Sequence, residues 1–485
     1  MVHTPGDGGV CRRAARRGAD PSPRPVAAVG SRSLPVSTTA TGRRALFACL
    51  VLVTALGALD QTIVATALPA IVTELGAPSR VSWVVTAYAL ALTAAMPAAG
   101  ALGDRFGHRR VLALSIGVFV ISSGACGLAG NVEFLAAARL AQGLGGAGLL
   151  VLPQAVVAGA VPARERTAFL GPLGAVYAVA TVAGPLLGGW LTDLASWRWI
   201  FWLNLPLGAA AAALVLAAVP AGRRPDAQAR FDTTGAVLLA AAANGLVLVT
   251  TAVAETGWHA ATVTAAAGTA VVAAAALAWE RRAADPVLPV TLARDRTVLL
   301  CCLLALAGGI GLFGVLAYVP TWVQEVYRTS ATTGGLLLLP VTAGIVAGVN
   351  ASGFAVRRWG AWRPFPVAGC ALSGGAAAAL ASIGEAPLPV VAALLALLGL
   401  GTGLFMQIVV VVAQDAGGAR RAGAVTAGLA FVREAGVTVG AAVLGALVAR
   451  AAGGSYAPVF ATAAMCFAAG FACALALPDR RLESK

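Results

Sequence analysis

Long apolar runs separated by short charged turns set the pattern of this chain from about residue 45 onward. Fourteen such runs can be drawn, centred on residues 45–72, 81–101, 111–130, 133–158, 167–190, 199–219, 232–253, 260–279, 298–319, 332–355, 364–382, 388–412, 422–448 and 458–477. A run of about 20 apolar residues, rising ~1.5 Å per residue, crosses a hydrocarbon core of about 30 Å as a helix. With no interior water, each span must satisfy its own backbone hydrogen bonds, which selects helices. The alternation of a membrane-barrel strand is absent. The pattern therefore predicts an all-α membrane protein with 14 transmembrane helices.

The polar positions orient those spans. With residues 1–44 placed in the cytoplasm, the inner segments hold 28 of the 34 Lys+Arg. The outer loops hold four (Arg80, Arg198, Arg328, Arg450), and Arg139 and Arg433 fall inside spans. Positive charge concentrates on cytoplasmic loops, and one missed span inverts every later loop, so the asymmetry supports the helix count and puts both termini inside. Composition agrees: 59% of the 485 residues are hydrophobic and 11% charged, against roughly a quarter charged in soluble domains. The net charge of +14 does not point to nucleic acid, because the basic residues are interleaved with apolar spans and form no stripe.

One charged turn carries more than charge. Gly100-Ala101-Leu102-Gly103-Asp104-Arg105-Phe106-Gly107-His108-Arg109-Arg110 is echoed 253 residues later by Gly353-Phe354-Ala355-Val356-Arg357-Arg358-Trp359-Gly360-Ala361-Trp362-Arg363. Parallel internal repeats are a building principle of membrane transporters. The phase of the repeat makes spans 1–6 one half and spans 9–14 the other. It gives a disordered basic tail (1–44), an N-terminal six-helix half (45–219), a linker with two extra spans (220–297), a C-terminal six-helix half (298–477) and a short cytoplasmic tail (478–485). The first span is too long for a cleaved signal sequence and reads as an anchor. The inserted pair is expected to pack against the bundle without lining the route.

With these motifs in order, the chain resembles the major facilitator superfamily, and within it the fourteen-span drug:proton antiporter branch. The 100–112 turn is similar to the signature between helices two and three. Leu59-Asp60-Gln61-Thr62 through Pro69 is similar to the first-helix motif, and Arg139-Leu140-Ala141-Gln142-Gly143 through Ala147 to the fourth-helix motif. Ala180 through Gly184-Pro185-Leu186-Leu187-Gly188-Gly189 is similar to the antiporter motif of helix five, and Trp197 to Phe201 with Asn204-Leu205-Pro206 is typical of the branch. His108 and Ala180 depart from the usual residues, a basic side chain and a glycine.

The resemblance implies a proton-coupled exporter of drugs, antibiotics or related amphipathic compounds, working as a monomer by alternating access in a bacterial plasma membrane. It makes Gly100, Gly103, Asp104, Arg105, Gly107 and Arg109 a cytoplasmic gate that latches the two halves. It makes Gly184, Pro185, Gly188 and Gly189 a close-packed seal that points to antiport, and Arg139 the charge of a proton relay. A proton-coupled importer is the nearer alternative, and a non-transporting sensor or scaffold the more distant one.

Depth along the helices supplies the candidates from the residues themselves. Asp60 lies 16 residues beyond Arg44 and 14 before Glu74, near mid-bilayer at ~1.5 Å per residue. Intramembrane acids mark ion or proton pathways; a neutral, hydrogen-bonded structural carboxyl is the other reading. Burial favours the neutral acid and a nearby cation the ionised one, so a carboxyl that moves between such settings can load and release a proton. Arg139 and Gln142, three residues apart, share a helix face. Because Arg139 sits only six residues, ~9 Å, inside Glu133, snorkelling competes with function there. Glu434 and Arg433 lie ~18 Å along the thirteenth span from Arg421. Adjacent residues diverge by about 100°, so no pairing between the two is expected, and Glu434 reads either as a second titratable acid or as interfacial.

Other chemistries find little support. No phosphate-binding loop, Cys/His metal spacing or G-x-S-x-G elbow occurs, so neither an enzyme nor a cofactor is expected. The eight cysteines form no CxxC pair and read as small filler, and the three histidines are scattered. Asp60 and Glu434 at depth suit cationic or neutral amphipathic substrates. Arginine outnumbers lysine 33 to one, a bias expected of a GC-rich genome.

Overall fold

The computed structural model describes residues 40–76, 80–221, 231–283, 285–288, 295–329, 331–384, 386–418, 421–450 and 456–478. Nearly all of the basic N-terminal tail, the C-terminal tail from residue 479 and parts of both long arginine-rich loops lie outside these residues. Helices account for almost everything described. In chain order they are α1 (Ala40–Ile63), a 3₁₀ turn leading into α2 (Leu68–Leu75), α3 (Ser82–Phe106), α4 (His108–Gly127), α5 (Val132–Ala160), α6 (Ala163–Leu194), α7 (Arg198–Trp202), α8 (Asn204–Ala218), α9 (Thr233–Thr256) and α10 (Ala260–Arg282). There follow α11 (Arg296–Gly308), α12 (Gly314–Leu316), α13 (Val319–Tyr327), α14 (Ala331–Leu336), α15 (Leu338–Trp359), α16 (Pro364–Ser382), α17 (Leu388–Gly417), α18 (Ala422–Arg450) and α19 (Ala457–Leu475).

Among the described residues, 13 helices are long and apolar enough to cross a membrane, against the 14 spans expected. The ninth span is the one that departs. It begins as α11, passes through a π-helical turn at Gly309–Phe313, and resumes only as the short α12 and α13. Gly308, Gly309 and Gly311 within five residues weaken the helix, and Pro320 removes a backbone donor just beyond. The helix starts follow local chemistry. Asn131, Asp232 and Asp295 accept backbone N–H bonds at the starts of α5, α9 and α11, at 2.7, 2.9 and 2.7 Å, satisfying donors that a helix end leaves open.

In the N-terminal part α5 packs between α3 and α4, and in the C-terminal part α17 packs between α15 and α16. Glycines let these backbones approach: a Cβ on Gly145 would lie 2.6 Å from the Phe119 nitrogen, and one on Gly348 2.9 Å from the Leu404 nitrogen. The inserted helices α9 and α10 pack on each other, and α9 lies against α3 and α18. Much of their surface is exposed and apolar, as at Val237, Val263 and Val271. Leu114, Ile121 and Leu186 present the same character elsewhere. Such a surface matches lipid and would be an aggregation liability in water.

The sequence repeat has a structural counterpart. Gly107 (φ 91°) ends α3, its N–H donating to the Gly103 carbonyl, and Gly360 (φ 71°) ends α15, its N–H donating to Val356. Only glycine takes these dihedrals without strain, which is why glycine stands at the same place in both copies.

Candidate functional site

Asp60 sits on α1 near the centre of the N-terminal bundle, 1% exposed. Arg139 Nη1 on α5 donates to its Oδ2 at 2.6 Å. Its Oδ1 accepts from Gln142 Nε2 at 2.9 Å and from Asn204 Nδ2 on α8 at 2.8 Å. The carboxylate thus meets one cation and two amides, each from a different turn or helix. Arg139 is equally enclosed, at 1% exposure. Its other bonds go to the Gln142 Oε1 at 2.9 Å and the Val84 carbonyl at 3.3 Å, and its guanidinium lies 3.9 Å from the centre of the Tyr88 ring. Snorkelling does not describe it.

Local sequence explains this closeness. The glycine face of α5 draws α3 onto it: a Cβ on Gly143 would strike the Tyr88 carbonyl and lie 2.9 Å from Ala91 Cβ, and one on Gly146 would lie 2.6 Å from the Tyr88 hydroxyl. The Tyr88 ring is thereby laid over Arg139. The network continues outward, since Asn204 Nδ2 also donates to Ser123 Oγ at 3.0 Å and Ser123 Oγ donates to the Phe201 carbonyl at 2.9 Å. Asn204, Ser123 and Tyr88 were not picked out as site residues from the sequence. For Asn204 a signal existed, a lone amide at the start of an otherwise apolar span.

The residues expected to form the gate lie at the arginine-rich end. Asp104 on α3 accepts from the Gly423 and Ala424 amides, both at 2.8 Å, and so caps the first turn of α18 in the other half. A carboxylate there meets both open donors and the positive end of the helix dipole. Gly100 faces the Gly423 carbonyl so closely that a Cβ would collide with it. His108 Nε2 lies 3.3 Å from Asp104 Oδ1. Arg105 Nη2 donates to the Asp285 carbonyl at 2.9 Å, and Arg109 donates to the Leu216 carbonyl. Gly103 packs against Leu152 and His108, and Gly107 supplies the turn. In the other copy Gly353 packs on α6, where a Cβ would lie 2.9 Å from the Thr167 carbonyl.

The loop after α10 joins this closure. Leu288 N donates to Glu280 Oε2 at 2.9 Å, Val287 is buried with Ala101 of α3, and Leu288 lies against Gly428 of α18.

Of the helix-five motif, Gly184 and Gly188 face the end of α1, where a Cβ on either would collide with Thr62 Oγ1 or the Ile63 carbonyl. Gly189 faces open space. Pro185 lies inside α6, which continues to Leu194.

Arg433 and Glu434 lie on α18 about 11 residues past its start, and they correct one expectation. Arg433 Nη2 donates to Glu434 Oε1 at 3.0 Å. The long guanidinium stem spans the ~100° between neighbouring positions, which the Cβ directions alone do not allow for. The Arg433 guanidinium also lies 5.3 Å from the Tyr177 ring, and the Tyr177 hydroxyl donates to Gln61 Oε1 at 3.1 Å, tying α18, α6 and α1 together. Among the described residues no group of His, Cys, Asp or Glu is arranged to hold a metal.

Comparisons with known proteins agree with this architecture. The family model for the Major Facilitator Superfamily matches residues 50–441. An MFS-type transporter of Mycobacterium tuberculosis is 39% identical over 84% of this chain, which spans 59% of that relative's length. The multidrug transporter protein MdtP of Bacillus subtilis is 30% identical over 84% of this chain and 75% of its own. The multidrug resistance protein Stp of Mycobacterium tuberculosis is 32% identical over 81% and 73%. Among solved structures, the human organic anion transporter MFSD10 superposes with a TM-score of 0.66 at 17% identity, covering 89% of this chain and 99% of that one. The proton:xylose symporter XylE gives 0.62 at 14%, covering 91% and 98%. These two show the fold. With its repeated glycine–arginine turn, thirteen long apolar helices among the described residues and a family model matched over most of its length, this chain belongs to the Major Facilitator Superfamily of membrane transporters.

Proposed function

We propose that this protein is a proton-coupled antiporter of the fourteen-span branch, exporting small amphipathic compounds across a bacterial plasma membrane with both termini in the cytoplasm. The observation that carries the reading is the buried Asp60 carboxylate, paired with Arg139 and bonded by Gln142 and Asn204. A proton arriving on Asp60 removes the negative charge that holds Arg139, and an unpaired guanidinium in a dry interior must find other acceptors. Gln142 Oε1 and the Val84 carbonyl are already in reach, so protonation re-poses α5 against α1 and α3. Alternating access then requires the Asp104 cap on α18 to release as the arginine-rich end opens. The named multidrug relatives support export of drug-like compounds, and the close packing of Gly184 and Gly188 on α1 supports exchange over symport.

The test is substrate flux in inverted membrane vesicles energised by a pH gradient, over a panel of fluorescent amphipathic dyes and antibiotics. Uptake that collapses with a protonophore and with Asp60→Asn is expected. Flux that survives Asp60→Asn at the full proton-driven rate overturns the coupling, and no flux for any compound by abundant, folded protein overturns the exporter.

A further inference from the structure

Behind the Arg433–Glu434 pair lies a cavity bounded by α5, α11, α17 and α18. Its walls are mostly apolar, with Phe405 and Ala430 among them, and a few polar groups converge there. Arg433 lines it, and its Nε is buried with no hydrogen-bond partner among the described residues. Gln407 lines it too, 5% exposed, with Oε1 likewise buried and unpartnered. No carboxylate is among the described lining residues.

An unpaired donor and an unpaired acceptor in one apolar chamber each cost stability, so their persistence points to a ligand that satisfies them. The backbone adds an independent sign. The π-helical turn at Gly309–Phe313 borders the chamber, with Gly309 seated against the Arg433 carbonyl and Gly308 in the wall. Such turns recur at functional sites.

We infer that this chamber is a binding site for an amphipathic organic anion: a flat apolar body bearing a carboxylate or phenolate that accepts from Arg433, with Gln407 Oε1 receiving a donor elsewhere on the molecule. The inference rests on the transporter reading for its biological sense. It replaces the cationic substrate expected from the depth of Asp60 and Glu434. Asp60 is enclosed by three donors, and Glu434 is held by the Arg433 Nη2. Both acids already accept from arginine or amide donors, whereas the Nε of Arg433, a residue that lines the cavity, has no partner among the described residues. A smaller pocket lined by Tyr177 and Thr181 shares Met406 with the chamber.

The test uses the full chain in lipid nanodiscs and three probes sharing a two-ring body: 2-naphthoate, 2-naphthamide and N-methylquinolinium. Equilibrium dialysis is expected to rank them in that order of affinity. Arg433→Gln is expected to weaken 2-naphthoate about tenfold or more, the scale of one charge-assisted hydrogen bond, and to leave 2-naphthamide within about twofold. Gln407→Leu should weaken 2-naphthamide and spare 2-naphthoate. Ala430→Phe, which fills the chamber without removing a charge, should weaken both, so that a folding failure of the arginine variant does not decide the matter. Tightest binding by N-methylquinolinium, indifference to all three substitutions, or no binding of any probe overturns the inference. Proton-driven flux with none of this discrimination removes the anion site and leaves the exporter. Discriminating binding without flux does the reverse.

Discussion

Asp104 and Gly423, 319 residues apart in sequence, are joined by a 2.8 Å hydrogen bond from the glycine amide to the carboxylate. That bond ties the end of α3 to the start of α18 and so closes one half on the other at the arginine-rich end. The closure has an internal near-symmetry, with Gly100 packed on α18 and Gly353 on α6. The symmetry fails at one place. Where the first copy has Asp104, the second has Arg357, which is exposed and caps nothing described. One copy therefore makes an electrostatic contact between the halves, and the other packs by shape.

Asp104→Asn keeps the side chain's size and one acceptor and loses the charge. Caps of this kind contribute about 0.5–2 kcal/mol, a shift of up to roughly thirtyfold between two states. The expected result is faster alkylation of a cysteine placed at Thr167 in a cysteine-free background, with transport reduced and membrane abundance unchanged. Unaltered alkylation and flux would remove Asp104 from the gate.

Removing one member of the Asp60–Arg139 pair strands the other in a dry interior. Asp60→Asn is expected to destabilise the protein by about 3–5 kcal/mol, seen as a lower melting temperature in nanodiscs. The double variant Asp60→Asn/Arg139→Gln leaves no stranded charge and should recover much of that loss without recovering proton-driven flux. Recovery of flux in the double variant would make the pair structural.

The legibility of this site follows from what a linear chain encodes. The all-helical membrane fold and the repeat were readable because apolar length and glycine placement are local properties, although 13 long apolar helices stand among the described residues where 14 were expected. Asp60 and Arg139 were readable as individuals by counting residues from the nearest charge. Their contact was not, because it depends on how α1 and α5 cross, which the glycines at 143, 145 and 146 decide jointly with α3 and α4. The break in the ninth span and the Arg433–Glu434 pair were missed for a related reason. Hydropathy averages over Gly308 to Gly311, and Cβ direction says little about where a long guanidinium ends.

Asn204 is the residue that the structure adds, and it makes a sharp prediction. Its amide bridges Asp60 Oδ1 and Ser123 Oγ, so Asn204→Leu leaves two buried acceptors each short of a donor. The expected loss is about 1–3 kcal/mol of stability together with impaired proton-driven flux, measured on the same vesicle preparation. Ser123→Ala removes only the two outer bonds, from Asn204 and to the Phe201 carbonyl, and should leave flux nearer the parent. Equal effects from both would mean that the network supports the fold and does not tune Asp60.

The helix-five glycines divide into two kinds, and alanine separates them. On α6, Gly188 faces the Ile63 carbonyl, with Thr66 Oγ1 only 2.5 Å from where a Cβ would sit, whereas nothing lies within 4 Å of that position on Gly189. Backbone at the end of α1 cannot yield as a flexible side chain would, so Gly188→Ala must push α6 off α1. Overpacking of this type costs about 1–3 kcal/mol, and the displaced helix should leak protons in the absence of substrate. Gly189→Ala meets no obstacle, and in a helix interior alanine is favoured over glycine by about 0.5–1 kcal/mol. Its melting temperature should hold or rise, with flux unchanged. Proton leak measured with a pH-sensitive dye inside the vesicles distinguishes the two: leak in Gly188→Ala alone assigns the seal to the α1-facing side of α6, and leak in both would place it on the motif as a whole.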